Sequence, residues 1–277
     1  MSCSKMFSCI RKVLPVLGIV FLFVLLCPLN AKAAQIAGFD PVYYLIHNTD
    51  VAAVYGWDAQ GALSHYLTYG MAEGRRGCAT EDEIKDDALS GFTVILDAGH
   101  GGRDPGCVRN GVYEKNVNLS IVLKLKTILE SYGATVLLTR SDDSFVSLEY
   151  RYTFENLNPE AVFVSVHCNA LAGNTNISGM SAYCHAANNS DSALFASCVY
   201  ENALYATGAT GRGLKTMSDL KVVYYSYIPS VLIETGYLSS SEEFPLLTSS
   251  EYQDLIAAGI ARGIINYQSI SSSIPTM

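Results

Sequence analysis

The chain has 277 residues, with 26 acidic against 18 basic residues and a formal net charge of −8. This acidic balance, without basic runs, argues against a nucleic-acid-binding protein, so no nucleic-acid partner is expected. The eight cysteines form no C-x-x-C pair, which argues against both a disulfide framework and a structural zinc knuckle. The length suffices for one α/β domain of ordinary size and a small extra module.

The first 33 residues have the pattern of a secretory signal peptide. Three basic residues precede an uncharged apolar run at 13–29, and a small-residue site, Ala31-Lys32-Ala33, follows. We expect cleavage after Ala33, and hence a secreted protein without stable membrane association. An uncleaved N-terminal anchor is the alternative, because the apolar run is long for a signal and short for a membrane span.

A small helical module is predicted at 35–79. Apolar residues recur at helical spacing, while Pro41, Gly56 and Gly70 interrupt the run, which indicates two or three short helices. The patterns D-x-x-Y-Y-L, D-V and H-Y-L-x-x-G-x-x-E-G-R resemble a small module of secreted and surface proteins of bacteria, which implies association with a wall or surface. The acidic stretch at 80–90 is the predicted linker.

From residue 91 onward, apolar strand patterns alternate with helical ones. The predicted strands are 92–96, 135–139, 161–166, 180–183 and 231–233, and the predicted helices are 116–132, 191–207 and 251–267. Ser250 and Gln253 predict a capping box for the last helix. Strands that are apolar on both faces predict an α/β fold for 91–268, with a single largely parallel twisted sheet covered by helices on both faces. A short tail, 269–277, follows.

Three of the four candidate side chains stand where such a sheet collects its ligands, at the carboxyl ends of strands. His100 follows the first strand, His167 ends AVFVSV, Glu234 ends VLI, and Glu114 lies in the loop before the first long helix. Two imidazoles and one carboxylate suit three positions of a tetrahedral zinc and leave the fourth for water. Burying the carboxylate of Glu234 at the end of an apolar strand costs free energy unless a cation or a hydrogen-bond donor lies next to it.

Spacing alone leaves other interpretations open. Without an H-x-x-x-H pattern, each histidine fits an ordinary strand-end residue with satisfied hydrogen bonds about as well as it fits a metal ligand. Glu234 could be a structural ion-pair partner. The G-H-G-G turn could be a phosphate loop, although no G-x-x-x-x-G-K-[ST] pattern follows it.

Three blocks of sequence carry a resemblance to a known family. They are VILDAGHGGRDPGCVRNGVYEKNVNLSIVLKLKTILESYGATVLLTR, SVHCNA and PSVLIETGYLSS. In this order, over 92–267, they resemble the zinc-dependent N-acetylmuramoyl-L-alanine amidases, which are cell-wall hydrolases. The resemblance implies zinc held by His100, Glu114 and His167, with Glu234 as the catalytic carboxylate. It also implies hydrolysis of the amide between N-acetylmuramic acid and L-alanine of peptidoglycan, in the cell wall or outside the cell, by a protein expected to be monomeric.

Several positions depart from the pattern of the resembled family. Cys107 and Cys168 stand where small residues are common, Ser240 stands where an asparagine often closes the last motif, and Tyr224 replaces an arginine often found before the proline. None of these changes removes a ligand, so any difference is expected at the substrate-facing rim. Strand alternation points Cys168 away from the neighbouring histidine, which predicts a packing role.

Other polar residues near the motifs have ordinary explanations. Arg140 and Arg151 are predicted to be structural ion-pair partners, and Arg103, Asp104 and Asn169 are candidates for substrate or supporting contacts because their loops hold the ligands.

Two rival functions remain from the sequence. One is a wall-binding protein with a retired active site. The other is a zinc enzyme of similar fold that cuts a peptide bond of the stem or an N-acetyl group. Some regulated members of the resembled family carry an extra helical insertion that blocks the metal. No spare segment here is long enough for one, so an open site is expected.

Overall fold

A mixed sheet with helices on both faces organises the chain. The computed structural model describes residues 39, 41–56, 59–77, 87–185, 189, 191–216 and 219–273. The predicted signal peptide, the segment 80–86 of the predicted linker and residues 274–277 of the tail lie outside this set. In the part of the chain that the structure describes, no helix is long and apolar enough to cross a membrane.

The N-terminal module consists of short helices, as predicted. Helices α1 (Pro41–His47), α2 (Thr49–Tyr55) and α3 (Ala59–His65) are followed by a π-helical turn, Tyr66–Gly70. Phe39 fills their centre, with its ring 5.4 Å from Tyr44 and 4.9 Å from Tyr66 between centroids.

The rest of the chain alternates strands and helices. The elements are β1 (Thr93–Ala98), β2 (Val108–Arg109), β3 (Val112–Tyr113), α4 (Glu114–Ser131), β4 (Thr135–Leu138), α5 (Leu148–Asn156), β5 (Ala161–Asn169), β6 (Met180–Cys184), α6 (Asp191–Thr207), β7 (Gly211–Thr216), α7 (Lys221–Tyr224), β8 (Ser230–Tyr237), α8 (Phe244–Leu247) and α9 (Ser250–Ser273). Every strand and long helix predicted from the sequence is present. The elements that sequence reasoning missed are the hairpin β2–β3, the edge strand β7 and the helices α5, α7 and α8.

The sheet has six strands in the order β4-β1-β5-β8-β6-β7. Strands β4, β1, β5 and β8 are parallel, whereas β6 runs antiparallel to β8 and β7 runs parallel to β6. The prediction of a largely parallel α/β sheet is therefore confirmed, with a reversed pair of strands at one edge. Because β1, β5 and β8 are adjacent and parallel, their carboxyl ends meet at the same sheet edge.

Strand alternation assigns the two faces of the sheet. Leu96, Val164 and Ile233 face the larger core under α4, α6 and α9. Phe163 and Leu232 face the smaller core under α5 and α7. Since side chains alternate with a period of two, His167 and Glu234 fall on the same face as Phe163 and Leu232. They are also direct neighbours in the β5–β8 register.

Some predicted boundaries and one predicted cap are wrong. Glu114 is the first residue of α4 rather than a loop residue, and β5 and β8 continue past His167 and Glu234. The capping box is absent, because the hydroxyl of Ser249, not Ser250, accepts from the backbone at the start of α9, from Tyr252 at 3.2 Å. Gln253 instead ties α9 to α4 by accepting from the hydroxyl of Ser120 at 2.6 Å.

Candidate metal centre and active site

Three predicted ligand residues meet at the carboxyl ends of β1 and β5. Glu114 Oε1 lies 3.1 Å from His100 Nε2 and 3.1 Å from His167 Nδ1. One nitrogen or oxygen from each of the three residues falls within 4.8 Å of the others, a spacing at which they could hold a metal ion. The structure therefore brings together side chains that are up to 67 positions apart in the chain.

Two glycines make room for this cluster. A Cβ on Gly99 would lie 2.2 Å from the ring of His167, so no side chain fits there. Gly106, at φ +63°, passes so close that a Cβ would come within 2.5 Å of Glu114 Oε2. His100 itself has φ 62°, a conformation that costs a non-glycine residue about 1 kcal/mol or more and must be held by its surroundings.

Glu114 is held as a buried carboxylate by donors from three segments. Its Oε2 accepts from the backbone N–H of Cys107 at 2.9 Å, and its Oε1 accepts from the backbone N–H of Cys168 at 3.1 Å. Asn118, one turn along α4, adds a bond to Oε1 at 3.3 Å. Burial alone would raise the pKa of Glu114, but the hydrogen bonds and charges of the two histidines outweigh it and hold the pKa well below its usual range.

Asp104 orients His100. Its Oδ2 lies 2.8 Å from His100 Nδ1, and because a carboxylate accepts, Nδ1 carries a proton, which leaves Nε2 as the nitrogen that faces Glu114 and that would bind a metal ion. Burial lowers the pKa of His100, but Glu114 and Asp104 together raise it to about 9. The two imidazoles and the carboxylate could hold a metal ion, and this nitrogen and oxygen donor set fits zinc.

Glu234 lies beside the cluster without a hydrogen-bonding partner. Its Oε2 is buried and bonds to none of the described residues. Burial raises the pKa of Glu234 to about 7, against the lowering effect of His167 and with a contribution from the charge of Glu114. A carboxyl group that titrates near neutral pH at a site edge is suited to exchanging protons.

Two buried arginines fix the backbone that carries His100. Arg151 pairs with Asp97, as predicted, and also donates to the carbonyls of Ala98 at 2.9 Å and His100 at 2.7 Å. Arg140 was predicted to be an ion-pair partner, but among the described residues it forms no ion pair. It donates instead to backbone carbonyls, including those of Ala98 at 2.8 Å and Gly99 at 3.0 Å. A fork of donors aimed at carbonyls cannot be recognised from residue type alone.

A cavity of about 370 Å³ opens next to the two histidines. One wall is apolar, with Phe145, Leu148 and Leu220, and Lys221 also lines the cavity. Sequence reasoning missed these residues because they come from α5, α7 and the loop before α5, which the sequence pattern did not indicate. Three further predicted candidates lie nearby. Asp104 contacts His100, and the guanidinium group of Arg103 stacks over the ring of Phe145 at 4.0 Å. The side-chain oxygen of Asn169 accepts from the backbone N–H of the next residue, Ala170.

The cysteines near the site pack rather than bind. Cys168 is buried in the larger core with its sulfur 3.3 Å from the hydroxyl of Thr235, and burial raises the pKa of its thiol well above the usual value. The prediction that Cys168 is a packing residue is confirmed. Among the described residues, Cys107, Cys168 and Cys184 are free thiols.

A largely parallel α/β sheet with two histidines and a glutamate converging at its strand ends is the arrangement of a metal-dependent hydrolase. The family model described as N-acetylmuramoyl-L-alanine amidase matches residues 94–266. The chain belongs to this family, and it is a peptidoglycan amidase.

Relatives agree with this assignment. N-acetylmuramoyl-L-alanine amidase LytC of Bacillus subtilis is 32% identical over 186 residues, 67% of this chain but only 37% of the longer LytC. The sporulation-specific N-acetylmuramoyl-L-alanine amidase of Bacillus subtilis is 32% identical over 185 residues, which cover 65% of this chain and 71% of that protein.

Solved structures give the same fold. The catalytic domain of the amidase CwlV from Bacillus (Paenibacillus) polymyxa var. colistinus is 36% identical with a TM-score of 0.61, covering 65% of this chain and 99% of that one. The CwlD amidase of Clostridioides difficile, in complex with the GerS lipoprotein, is 35% identical with a TM-score of 0.61 and the same coverage of both chains.

Proposed function

We propose that the chain hydrolyses the amide between N-acetylmuramic acid and L-alanine with one zinc ion held by His100, Glu114 and His167. The observation that carries this proposal is the approach of three ligand atoms to within 4.8 Å of one another, close to the buried Oε2 of Glu234, which bonds to none of the described residues. When bound, zinc would supply Lewis-acid chemistry that polarises the amide carbonyl and lowers the pKa of a water molecule.

In this proposal, Glu234 moves the proton. As a carboxylate it takes a proton from the attacking water, and as a carboxylic acid it gives that proton to the leaving amine nitrogen of alanine. A pKa near 7 allows both protonation states at neutral pH. Asp104 keeps the Nδ1 proton of His100 in place, so that Nε2 remains a ligand.

The bond is identified by mass spectrometry of purified wall digested with the protein. Free stem peptides that begin with L-alanine, together with intact N-acetylmuramic acid, are the expected products. Cleavage within the stem or loss of acetate would instead assign the site to a different amide of the wall. An absence of any product from zinc-loaded protein would favour a wall-binding protein with a retired site.

The ligand set has its own test. Metal analysis of His167→Ala should show a large loss of zinc relative to the unchanged chain, because two ligands cannot close the site. His47→Ala is the control, since His47 lies in the N-terminal module. Stoichiometric zinc in the His167→Ala variant would remove this residue from the ligand set.

We also propose that 1–33 directs export, that the protein acts as a monomer in the cell wall or outside the cell, and that 35–79 associates with the wall. The basic residues, apolar run and small-residue site at the N-terminus support export. The protein recovered from the wall and medium should begin at Ala34, which its N-terminal sequence checks. A recovered protein that keeps its first residues would point to the uncleaved anchor.

A further inference from the structure

The cavity beside the two histidines is too small for a wall polymer. Its volume of about 370 Å³ is near the lower end of the range of roughly 300 to 1,000 Å³ found for small-molecule sites. If the substrate is peptidoglycan, as the proposed function states, most of the polymer must lie on the outer surface. The surface that continues the cavity is therefore the place to look for a second contact.

Two helices lead away from the cavity side by side. Leu148, the first residue of α5, and Lys221, the first residue of α7, both line the cavity. Tyr152 and Tyr225 each follow four residues later, about 6 Å along a helix axis. Their rings meet at 5.2 Å between centroids. The cavity wall thus continues directly into an aromatic surface.

This surface, the aromatic strip, consists of Tyr152, Tyr224, Tyr225 and Tyr227. The ring of Tyr224 lies 5.0 Å from that of Tyr225. Tyr225 is 45% and Tyr227 67% exposed, so neither ring is used to fill a core. A group of tyrosines on or just after the two helices whose first residues line the cavity, with two of the rings exposed, differs from a single exposed apolar residue, which needs no explanation.

Asn156 fixes the loop that carries Tyr225 and Tyr227 at two points. Asn156 Nδ2 donates to the carbonyl of Tyr225 at 2.8 Å, and its Oδ1 accepts from the N–H of Tyr227 at 2.8 Å. A loop fixed at two successive points loses little further freedom when a ligand binds, which favours affinity.

The chemistry of the strip matches sugar rings better than a stem peptide. Its four residues carry no charge at neutral pH, and each offers a flat apolar face with a hydroxyl at its tip. Among the described residues, none is recorded as hydrogen-bonded to the hydroxyls of Tyr225 and Tyr227. Pyranose rings have flat C–H faces edged with hydroxyls, whereas the acidic groups of a stem peptide call for cations. Tyr224 is also one of the positions where this chain departs from the pattern of the family.

We propose that the aromatic strip binds the glycan strand of peptidoglycan and so selects polymeric wall over small fragments. The stem amide enters the cavity, and neighbouring sugars of the same strand lie across Tyr225 and Tyr227.

The test compares intact wall with the smallest soluble substrate, a single N-acetylmuramoyl peptide. A Tyr225→Ala, Tyr227→Ala double variant should lose about tenfold in kcat/KM on wall, because two ring contacts are removed. Its kcat/KM on the soluble substrate should stay within about twofold. Leu255→Ala, at a residue that is 40% exposed in α9, on the face of the sheet opposite the two histidines, is the control and should change neither value.

A binding measurement separates this proposal from the proposed function. Peptide-free glycan strands should bind the unchanged chain and bind the double variant about tenfold more weakly. Equal losses of kcat/KM on wall and soluble substrate, or glycan binding that the substitutions leave unchanged, would overturn the proposed glycan-binding role of the aromatic strip. Failure of the unchanged chain to release alanine-terminated peptides from the soluble substrate would overturn the proposed amidase chemistry, whatever the glycan result.

Discussion

Glu234 is only partly buried, yet its Oε2 is buried and bonds to none of the described residues. Such a group normally costs stability, since an unpaired buried carboxylate keeps its full desolvation penalty. Its position next to His167 in the β5–β8 register places this carboxyl group at the cluster, where the proposed proton transfer would use it. A residue that serves only structure would be expected to have a partner.

Replacing Glu234 by glutamine tests this role at the residue scale. Glutamine keeps the shape but cannot accept the proton, so turnover should fall by about 10² to 10⁴-fold while bound zinc and thermal stability stay near those of the unchanged chain. Kinetics with soluble substrate and metal analysis of the same preparation measure both. Loss of zinc together with activity would make Glu234 a ligand, and near-normal turnover would make it a structural residue.

Glu155, which belongs to none of the motifs in the sequence, is fully buried. Its Oε2 accepts from the hydroxyl of Ser226 at 3.1 Å, and its Oε1 bonds to none of the described residues. Burial raises the pKa of Glu155 to about 9, with Ser226 opposing and the charge of Asp97 adding to the shift. The folded chain therefore keeps this carboxyl group protonated at neutral pH.

The stability of the fold should consequently depend on pH through Glu155. The unfolded carboxyl group loses its proton near its ordinary pKa of 4.5, so between about pH 5 and 9 the folded state binds more protons than the unfolded state. The free energy of unfolding then falls as pH rises, by at most about 1.4 kcal/mol per pH unit from this group. Glu155→Gln should remove that slope, so the difference between variant and unchanged chain grows with pH in denaturant titrations. Glu160→Gln, at an exposed site, is the control, and parallel pH profiles for Glu155→Gln and the unchanged chain would refute the assignment.

At the scale of elements, the site depends on how β1 and α4 are held together. Arg140 contacts both elements. Its Nε donates to the carbonyl of Ala98, the last residue of β1, and its Nη2 donates to that of Gly99. The same Nη2 also donates to the carbonyl of Lys115 in α4 at 2.8 Å. His100 follows Gly99, and Glu114 precedes Lys115. The guanidinium group thus sets the distance between two of the three proposed ligands.

Arg140→Lys keeps the charge but loses the planar fork of donors. Zinc affinity should fall about 10 to 100-fold, as is typical when a residue that orients a ligand is replaced. Competition with a chelator of known affinity measures it. Arg75→Lys is the matched control, since Arg75 makes a two-point contact with Asp50 at 2.7 Å for each bond in the N-terminal module. A variant with lowered thermal stability and unchanged zinc affinity would limit Arg140 to a scaffold role.

At the scale of the whole molecule, the N-terminal module packs against the catalytic region, although the acidic linker predicts two separate parts. The ring of Phe39 lies 6.0 Å from that of Tyr205 in α6, and Leu89, near the end of the predicted linker, is fully buried in the larger core. Helix α1 packs against α6 and α9. These helices cover the face of the sheet opposite His167 and Glu234, so the contact supports the fold at a distance from the chemistry.

Phe39→Ala should therefore separate stability from activity. Phe39 is 2% exposed, and removing a buried phenylalanine ring costs about 3 to 5 kcal/mol. We expect a lower unfolding temperature, with unchanged zinc content and unchanged kcat/KM on soluble substrate at a temperature where the variant is folded. Val54→Ala, at a residue that is 75% exposed, should leave both the unfolding temperature and kcat/KM unchanged. A fall in kcat/KM for Phe39→Ala under these conditions would mean that the module shapes the active site.

Much of this arrangement follows from the sequence by itself. Apolar runs and helical spacing are local patterns, so they determined the central strands, the long helices and the parallel character of the sheet. The same patterns placed His100, His167 and Glu234 at strand ends and Glu114 in the loop before the first long helix. The reversed strands β6 and β7 were beyond such reasoning, because strand direction depends on which edge is free when the chain returns.

Only the tertiary structure decided how the site is supported. Arg140 acts through backbone carbonyls and Gly99 through the space it leaves for His167, and neither contact leaves a pattern in nearby residues. Likewise, the aromatic strip joins residues of α5 to residues from Tyr224 to Tyr227, more than 70 positions away. Sequence spacing records what neighbours along the chain can do, whereas a shared hydrogen bond or ring contact between distant segments exists only once the chain is packed.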